Sequence, residues 1–266
     1  MRAAQRPDCR RAKAGNGLSE QDSRPSVGRA KDKRDYNDRL FGTGLRGWFH
    51  GGRFRWLRVQ IRRRSSAPPS VLEIGCFDGK VLNFIAPSPR RYLGLDANWE
   101  GGLDLAKVKW AGFQGAEFRK CQKPEEVPTG ERFDVAIVME TLEHLPDDVL
   151  DGYIARLREV TDGYLLITSP NEIGPVCFAK QIVKKAFLGG SSFSWADIWN
   201  ATLGRTERIV RDEHRGFNYR HLIETLRKSF DVESVHGIPF SWAPPYLNFT
   251  VGIVLVPKPK ERQPAR

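Results

Sequence analysis

The stretch SVLEIGCFDGK, Ser70 to Lys80, decides the fold. A short apolar run carrying Glu73 meets Gly75, and Gly79 follows four positions later. A buried parallel strand running into a tight turn has this form. Glycine suits such a turn because it accepts positive φ and lets a ligand approach the backbone closely. The stretch lacks the Gly-Lys-Ser/Thr ending of a phosphate loop and the three-glycine spacing of a dinucleotide fingerprint. In an open α/β sheet, ligands bind beyond the carboxyl ends of the strands, so the same stretch also locates the site.

From this turn onward, strand and helix patterns alternate. Strands are predicted over 71–74, 91–96, 116–119, 133–139 and 163–169, near 231–236, and over 247–256. Helices are predicted over 79–86, 101–110, 147–160 and 217–230. The alternation predicts an α/β domain over residues 67–257, doubly wound, with a mostly parallel sheet of about seven strands and right-handed crossovers. No helix separates the last two strands, so they pair as an antiparallel edge. Residues 171–215 break the rhythm with one or two extra helices leaving the ligand end of the fifth strand. They form either a lid or substrate wall, or ordinary packing.

The chain has 266 residues and a net charge of +11. The excess is local: residues 1–64 hold 18 of the 43 Lys and Arg but only 6 of the 32 Asp and Glu. Residues 1–34, rich in Arg, Gly, Ser and Pro, are expected to be a disordered basic tail, and 258–266 a short C-terminal tail. Residues 35–66 form a basic, aromatic helical segment, whose RFRWLRVQIRRR run (53–64) reads as an amphipathic helix. It either packs over the domain and covers the site, or contacts a membrane surface through residues 44–64. The near-neutral remainder argues against a nucleic-acid substrate, which needs a broad basic face. Four scattered cysteines without a C-x-x-C pair fit a reduced, cytoplasmic protein. No apolar run approaches the ~20 residues of a membrane helix.

Asp96 ends the second strand, about 20 residues after Gly75, where a carboxylate can accept the hydroxyls of an adenosine ribose. The ordered series VLEIGCFDGK, YLGLDAN, FDVAIVMETLEHLPDD and GYLLITSPN resembles the class I S-adenosylmethionine-dependent methyltransferases over about residues 70–256. That resemblance implies S-adenosyl-L-methionine as cofactor, with Glu73, Gly75, Cys76 and Gly79 lining its methionine and ribose side. Asp96, with Ala97 beside it, takes the ribose hydroxyls; Glu140 joins the cofactor set, and residues 120–122 flank the adenine. Two departures stand out. Phe77 replaces the middle glycine of the family's turn. Lys120, Cys121 and Gln122 stand where an acidic residue often follows the third strand, which predicts backbone contacts to the adenine.

Methyl transfer from a sulfonium requires chiefly that donor and acceptor be held in line. An acceptor hydroxyl or amine also calls for a base. His144, in ETLEHLPDD, has the ordinary pKa for that work; alternatively Glu143 and His144 only shape the turn. The E-x-x-E-H run is similar to that of the ubiquinone-pathway and the small-RNA O-methyltransferases. In the latter, Glu140, Glu143, His144 and His214 would correspond to a metal set, although no metal is assigned on sequence. The expected function is O-methylation of a small-molecule, lipid-linked or sugar acceptor. The alternatives are an RNA methyltransferase using the Arg-rich N-terminus and a non-catalytic S-adenosylmethionine-binding protein.

Overall fold

A computed structural model describes residues 45–187, 192–212 and 214–259. The basic tail expected over 1–34 and most of the tail expected over 258–266 lie outside the described residues.

Seven strands form one sheet in the order β3-β2-β1-β4-β5-β7-β6. They are β1 (Ser70–Ile74), β2 (Arg91–Asp96), β3 (Ala116–Lys120), β4 (Phe133–Met139), β5 (Thr161–Pro170), β6 (Phe230–Ile238) and β7 (Thr250–Pro257). The first five are parallel neighbours; β7 slots antiparallel between β5 and β6. The helices are α1 (Leu45–Arg64), α2 (Gly102–Lys109), α3 (Asp147–Val160), α4 (Gly174–Phe187), α5 (Trp195–Thr202) and α6 (Tyr219–Leu226).

Side chains alternate across each strand, and the core divides accordingly. Leu72, Ile74, Ala136, Val138, Leu165 and Ile167 face one layer, where α3 and α6 bring Leu157, Leu222 and Leu226. Val71, Tyr92, Val135, Ile137, Leu166 and Val254 face the other, where α1 brings Phe54, Trp56, Leu57 and Ile61. Phe54, Leu57 and Ile61 recur at helical spacing, which makes one buried stripe. Each such side chain contributes roughly 1.5–3 kcal/mol by burial. Arg62, Arg63 and Arg64 close the helix, where the dipole favours cations. Thus α1 is an integral layer of the domain, and it starts eight residues before the amphipathic run that the sequence marks.

Two predicted helices are shorter than expected. Of residues 79–86 only Lys80–Asn83 are helical, as a single 3-10 turn. Pro87 and Pro89 lack the N–H to continue a helix, and each disfavours helical geometry in the residue before it. Of residues 217–230, Tyr219–Leu226 are α-helical. The Asn218 side chain starts that helix by accepting from the Arg220 amide at 3.0 Å. The segment 171–215 holds two helices, α4 and α5, with α5 capped by Ser194 and Asp197.

Candidate functional site

A cavity of about 640 Å³ opens at the carboxyl ends of β1, β2 and β4. One wall is the turn after β1. Gly75, Phe77 and Gly79 all have left-handed φ, of 76°, 47° and 69°. At Gly75 an added Cβ would lie 2.2 Å from the Thr141 hydroxyl, so only glycine fits there. Phe77 holds its strained conformation without glycine's freedom. Its ring lies over the start of α2, where a Cβ on Gly102 would come within 2.2 Å of it.

Asp96 ties this turn together. Its carboxylate accepts from the amides of Phe77 (3.0 Å), Asn98 (2.7 Å) and Trp99 (3.2 Å). Three of its roughly four acceptor positions are thereby filled. Asp96 also lines the cavity. Below it, Glu73 is buried and accepts a hydrogen bond from the Tyr92 hydroxyl. Burial drives its carboxyl well above the usual carboxylate range. Asp78 accepts from the Lys80 amide (3.1 Å) and pairs with Lys109 (2.8 Å), fastening the turn to α2.

The opposite wall comes from the end of β4 and from α1. Glu140 sits at a left-handed φ of 52°. Its carboxylate is 3.8 Å from Arg53 Nη1, and Phe54 lines the cavity one residue on. Burial raises the Glu140 carboxyl, against the pull of Arg53. Glu143 is 1% exposed, and among the described residues neither of its carboxylate oxygens has a hydrogen-bond donor. Burial first, then the neighbouring Glu140 charge, push it well above the carboxylate range. Arg211 anchors the end of the 171–215 segment to this rim by pairing with Asp147 (2.7 Å) and donating to the Leu145 carbonyl (3.1 Å). His214 is thereby brought to His144, with ring centroids 4.6 Å apart. Among the described residues, ligand atoms of Glu143, His144 and His214 lie within 4.8 Å of one another. Glu140 is not in that group.

Glu73, Gly75, Cys76, Asp96, Ala97, Glu140 and His144 all line the cavity. Gly79 does not: it faces the protein, where a Cβ would meet Trp110 at 2.8 Å and Phe118 at 2.9 Å. Of residues 120–122, Cys121 and Gln122 line the cavity and Lys120 does not. Two amides of this stretch are already engaged, since the Cys121 amide donates to the Asp96 carbonyl (2.9 Å) and the Gln122 amide to Glu126 (2.6 Å), which leaves the carbonyls for any backbone contact to adenine. This wall also offers the Gln122 side chain. The extra helices α4 and α5 contribute nothing to the lining; among the described residues of that segment only His214 does. Arg53, Phe54 and Trp99 line the cavity unforeseen. The amphipathic run over 53–64 left packing on the domain as one of two readings, and nothing local marks which arginine turns inward.

A family model described as a methyltransferase domain matches residues 50–209. The ubiquinone biosynthesis O-methyltransferase of Mesorhizobium japonicum is 28% identical over 122 residues, 42% of this chain and 48% of that protein. Its counterpart from Cereibacter sphaeroides is 31% identical over 116 residues, 42% of this chain and 45% of that protein. The chain thus spans about half the length of these curated relatives. Magnesium protoporphyrin IX methyltransferase from Synechocystis PCC 6803, solved with bound S-adenosylhomocysteine, has the same fold. Its TM-score is 0.53 at 15% identity, covering 83% of this chain and 92% of that one. With its seven-stranded sheet and the turn after β1, the chain belongs to the methyltransferase-domain family of class I, S-adenosylmethionine-dependent enzymes.

Proposed function

We propose that this protein methylates an oxygen of a small-molecule acceptor, lipid-linked or sugar in nature, on the cytoplasmic side of the membrane. One observation carries the reading: a single cavity joins the Gly75–Asp96 turn to a facing wall of Arg53, Glu140 and His144. Bound S-adenosylmethionine supplies an activated methyl group, whose transfer to a hydroxyl leaves S-adenosylhomocysteine and one proton. Asp96 accepts a ribose hydroxyl at its open position, and the Gln122 carboxamide meets the adenine edge. Gly75 and Cys76 let the methionine chain lie against the backbone, and Arg53 attracts its carboxylate. His144 faces the cavity from the β4 side and takes the hydroxyl proton on an imidazole nitrogen. The two curated relatives, both O-methyltransferases by name, support oxygen as the acceptor atom. The free, buried Cys76, Cys121 and Cys177 fit a reducing compartment.

The buried, donorless oxygens of Glu143 favour a second reading of the rim. Glu143, His144 and His214 offer one carboxylate and two imidazoles in one place, a donor set that suits a divalent cation. A cation held there would polarise an acceptor hydroxyl, and His144 would then be a ligand.

Calorimetry with S-adenosylhomocysteine, paired with methyl transfer from labelled S-adenosylmethionine to phenolic, polyprenyl and sugar acceptors, tests the proposal. Saturable binding with turnover of one acceptor class is expected. No binding at millimolar ligand would overturn it; binding without turnover of any acceptor would favour a non-catalytic role. Turnover of RNA that falls steeply with salt would favour the nucleic-acid alternative. Full activity after chelation would remove the cation.

A further inference from the structure

The connection between β6 and β7, residues 239–249 (PFSWAPPYLNF), contains no charged residue. It nonetheless exposes Trp242 (84%), Tyr246, Leu247 and Phe249 to solvent. Exposure here is not looseness, because two buried asparagines build the loop. Asn248 accepts from the Phe240 amide (2.9 Å) and donates to the carbonyls of Phe240 (3.2 Å) and Pro244 (3.1 Å). Asn171 donates to the carbonyls of Asn248 (2.8 Å) and Tyr246 (3.3 Å). Gly237 passes so close beneath that a Cβ would meet Asn248 Nδ2 at 2.0 Å. A loop this well tied could turn its large apolar side chains inward, yet it holds them out.

The patch continues onto α1. Phe249 packs on Phe49 (4.6 Å between centroids), and Phe240 joins Trp48 (5.7 Å) to Trp242 (5.9 Å). Trp48 is itself 44% exposed. Arg55 lies over its ring at 5.5 Å. Along the outward face of α1, Arg55, Arg58, Arg62 and Arg63 are exposed, and the helix has seven arginines and no acidic residue. The 44 residues preceding α1 carry 11 Lys and Arg against 6 Asp and Glu. The patch flanks the cavity: β7 begins opposite Pro170, at the ligand end of the sheet, and α1 lends Arg53 and Phe54 to the lining.

We propose that this aromatic and arginine-rich patch seats the protein on an anionic phospholipid bilayer. Exposed tryptophans beside arginines and a neutral apolar loop match the headgroup layer, where indole rings partition and cations meet lipid phosphates. No helix among the described residues is long and apolar enough to cross a membrane, so the contact is peripheral. Resting on the methyl-transfer reading, the proposal also narrows the acceptor to a molecule whose tail lies in the bilayer while its head enters the cavity.

Full-length protein is sedimented with vesicles of phosphatidylcholine alone or mixed equally with phosphatidylglycerol, beside the variants Trp242→Ser and Trp48→Ser/Trp242→Ser. Binding to the mixed vesicles only, weakened at high salt and lowered about tenfold or more by the double substitution, is expected. Absence of binding to the mixed vesicles overturns the proposal. Undiminished binding by the double variant also overturns it, and assigns the attraction to the basic N-terminal residues. So does a dimer in solution that the double substitution dissociates. S-adenosylhomocysteine binding measured on the same samples should match wild type in every variant. If it is absent in wild type while vesicles still bind, the methyl-transfer reading fails and the membrane surface stands.

Discussion

On the donor side of the cavity, the Asp96 carboxylate meets three backbone amides. On the acceptor side, the Glu143 carboxylate is even more buried and meets no donor among the described residues. The donor wall is made by one continuous stretch, β1 to β2, whose polar groups satisfy one another. The acceptor wall is gathered from α1, the end of β4 and the end of the 171–215 segment, and it leaves buried acids unsatisfied. A satisfied network is rigid and stabilising; an unsatisfied one is destabilising until a ligand completes it. On the proposed reading the first wall holds the ribose and adenine of the donor, and the second carries the acceptor chemistry together with Arg53, which reaches for the donor's carboxylate.

The strongest way to break this contrast is His144→Ala. Loss of a base or a ligand there should lower kcat by about 10²–10⁴-fold, with S-adenosylhomocysteine affinity unchanged in calorimetry. A matching loss of affinity would mean that the walls are not separable. Next comes Asp96→Ala, which removes a ribose contact and leaves three amides without their acceptor. Hydrogen bonds to a charged group contribute about 1.5–3 kcal/mol each. Affinity should fall about 100-fold, and the ligand-free protein should melt earlier. Glu143→Gln, by contrast, should leave the melting temperature unchanged or raise it, since it removes a buried carboxyl that has no donor. A lower melting temperature would show that Glu143 is satisfied after all.

Gly102→Ala should cost about 1–3 kcal/mol, as overpacking does, because its methyl would strike the Phe77 ring. Phe77→Ala in the same chain should recover part of the loss, measured as a coupling in denaturant unfolding. The smallest effect concerns pH. Burial raises the folded Glu73 carboxyl above its ordinary value of 4.5. The unfolded state then releases its proton first, so stability falls as pH rises from about that value to the raised one. Glu73→Gln keeps an acceptor for Tyr92 and should show a flatter thermal-melt profile between pH 4 and 8.

The donor wall was legible because its chemistry is local. A strand, a glycine turn and an acidic residue at the end of the next strand are adjacent in the sequence, and β1, β2 and β4 fall within a residue of the predicted limits. The acceptor wall was legible only in part. His144 sits in a readable motif, but Arg53 reaches the cavity through a helix that precedes the domain's first strand. Occupied amides at Cys121 and Gln122 were invisible as well, since the Asp96 carbonyl takes the first across the sheet and Glu126 folds back on the second from a turn. Trp242 lies in a run of prolines and aromatics between the last two predicted strands, where the sequence predicts no element. Only the bonds of Asn248 and Asn171 show that the run is a built loop with its apolar side chains outward.

Phe77 and Gly102 also set an order of events. With phenylalanine at 77 only glycine fits at 102, because a Cβ there would lie 2.2 Å from the ring; a glycine at 77 removes that obstacle. A lineage starting from a glycine turn could thus reach this sequence by one route: helix position first, ring second. The same asymmetry governs reversal, because a side chain gained at 102 must wait until the ring is gone. Any fingerprint written for this turn should therefore read the two positions as one character, since a missing glycine in the loop is answered by one found 25 residues later.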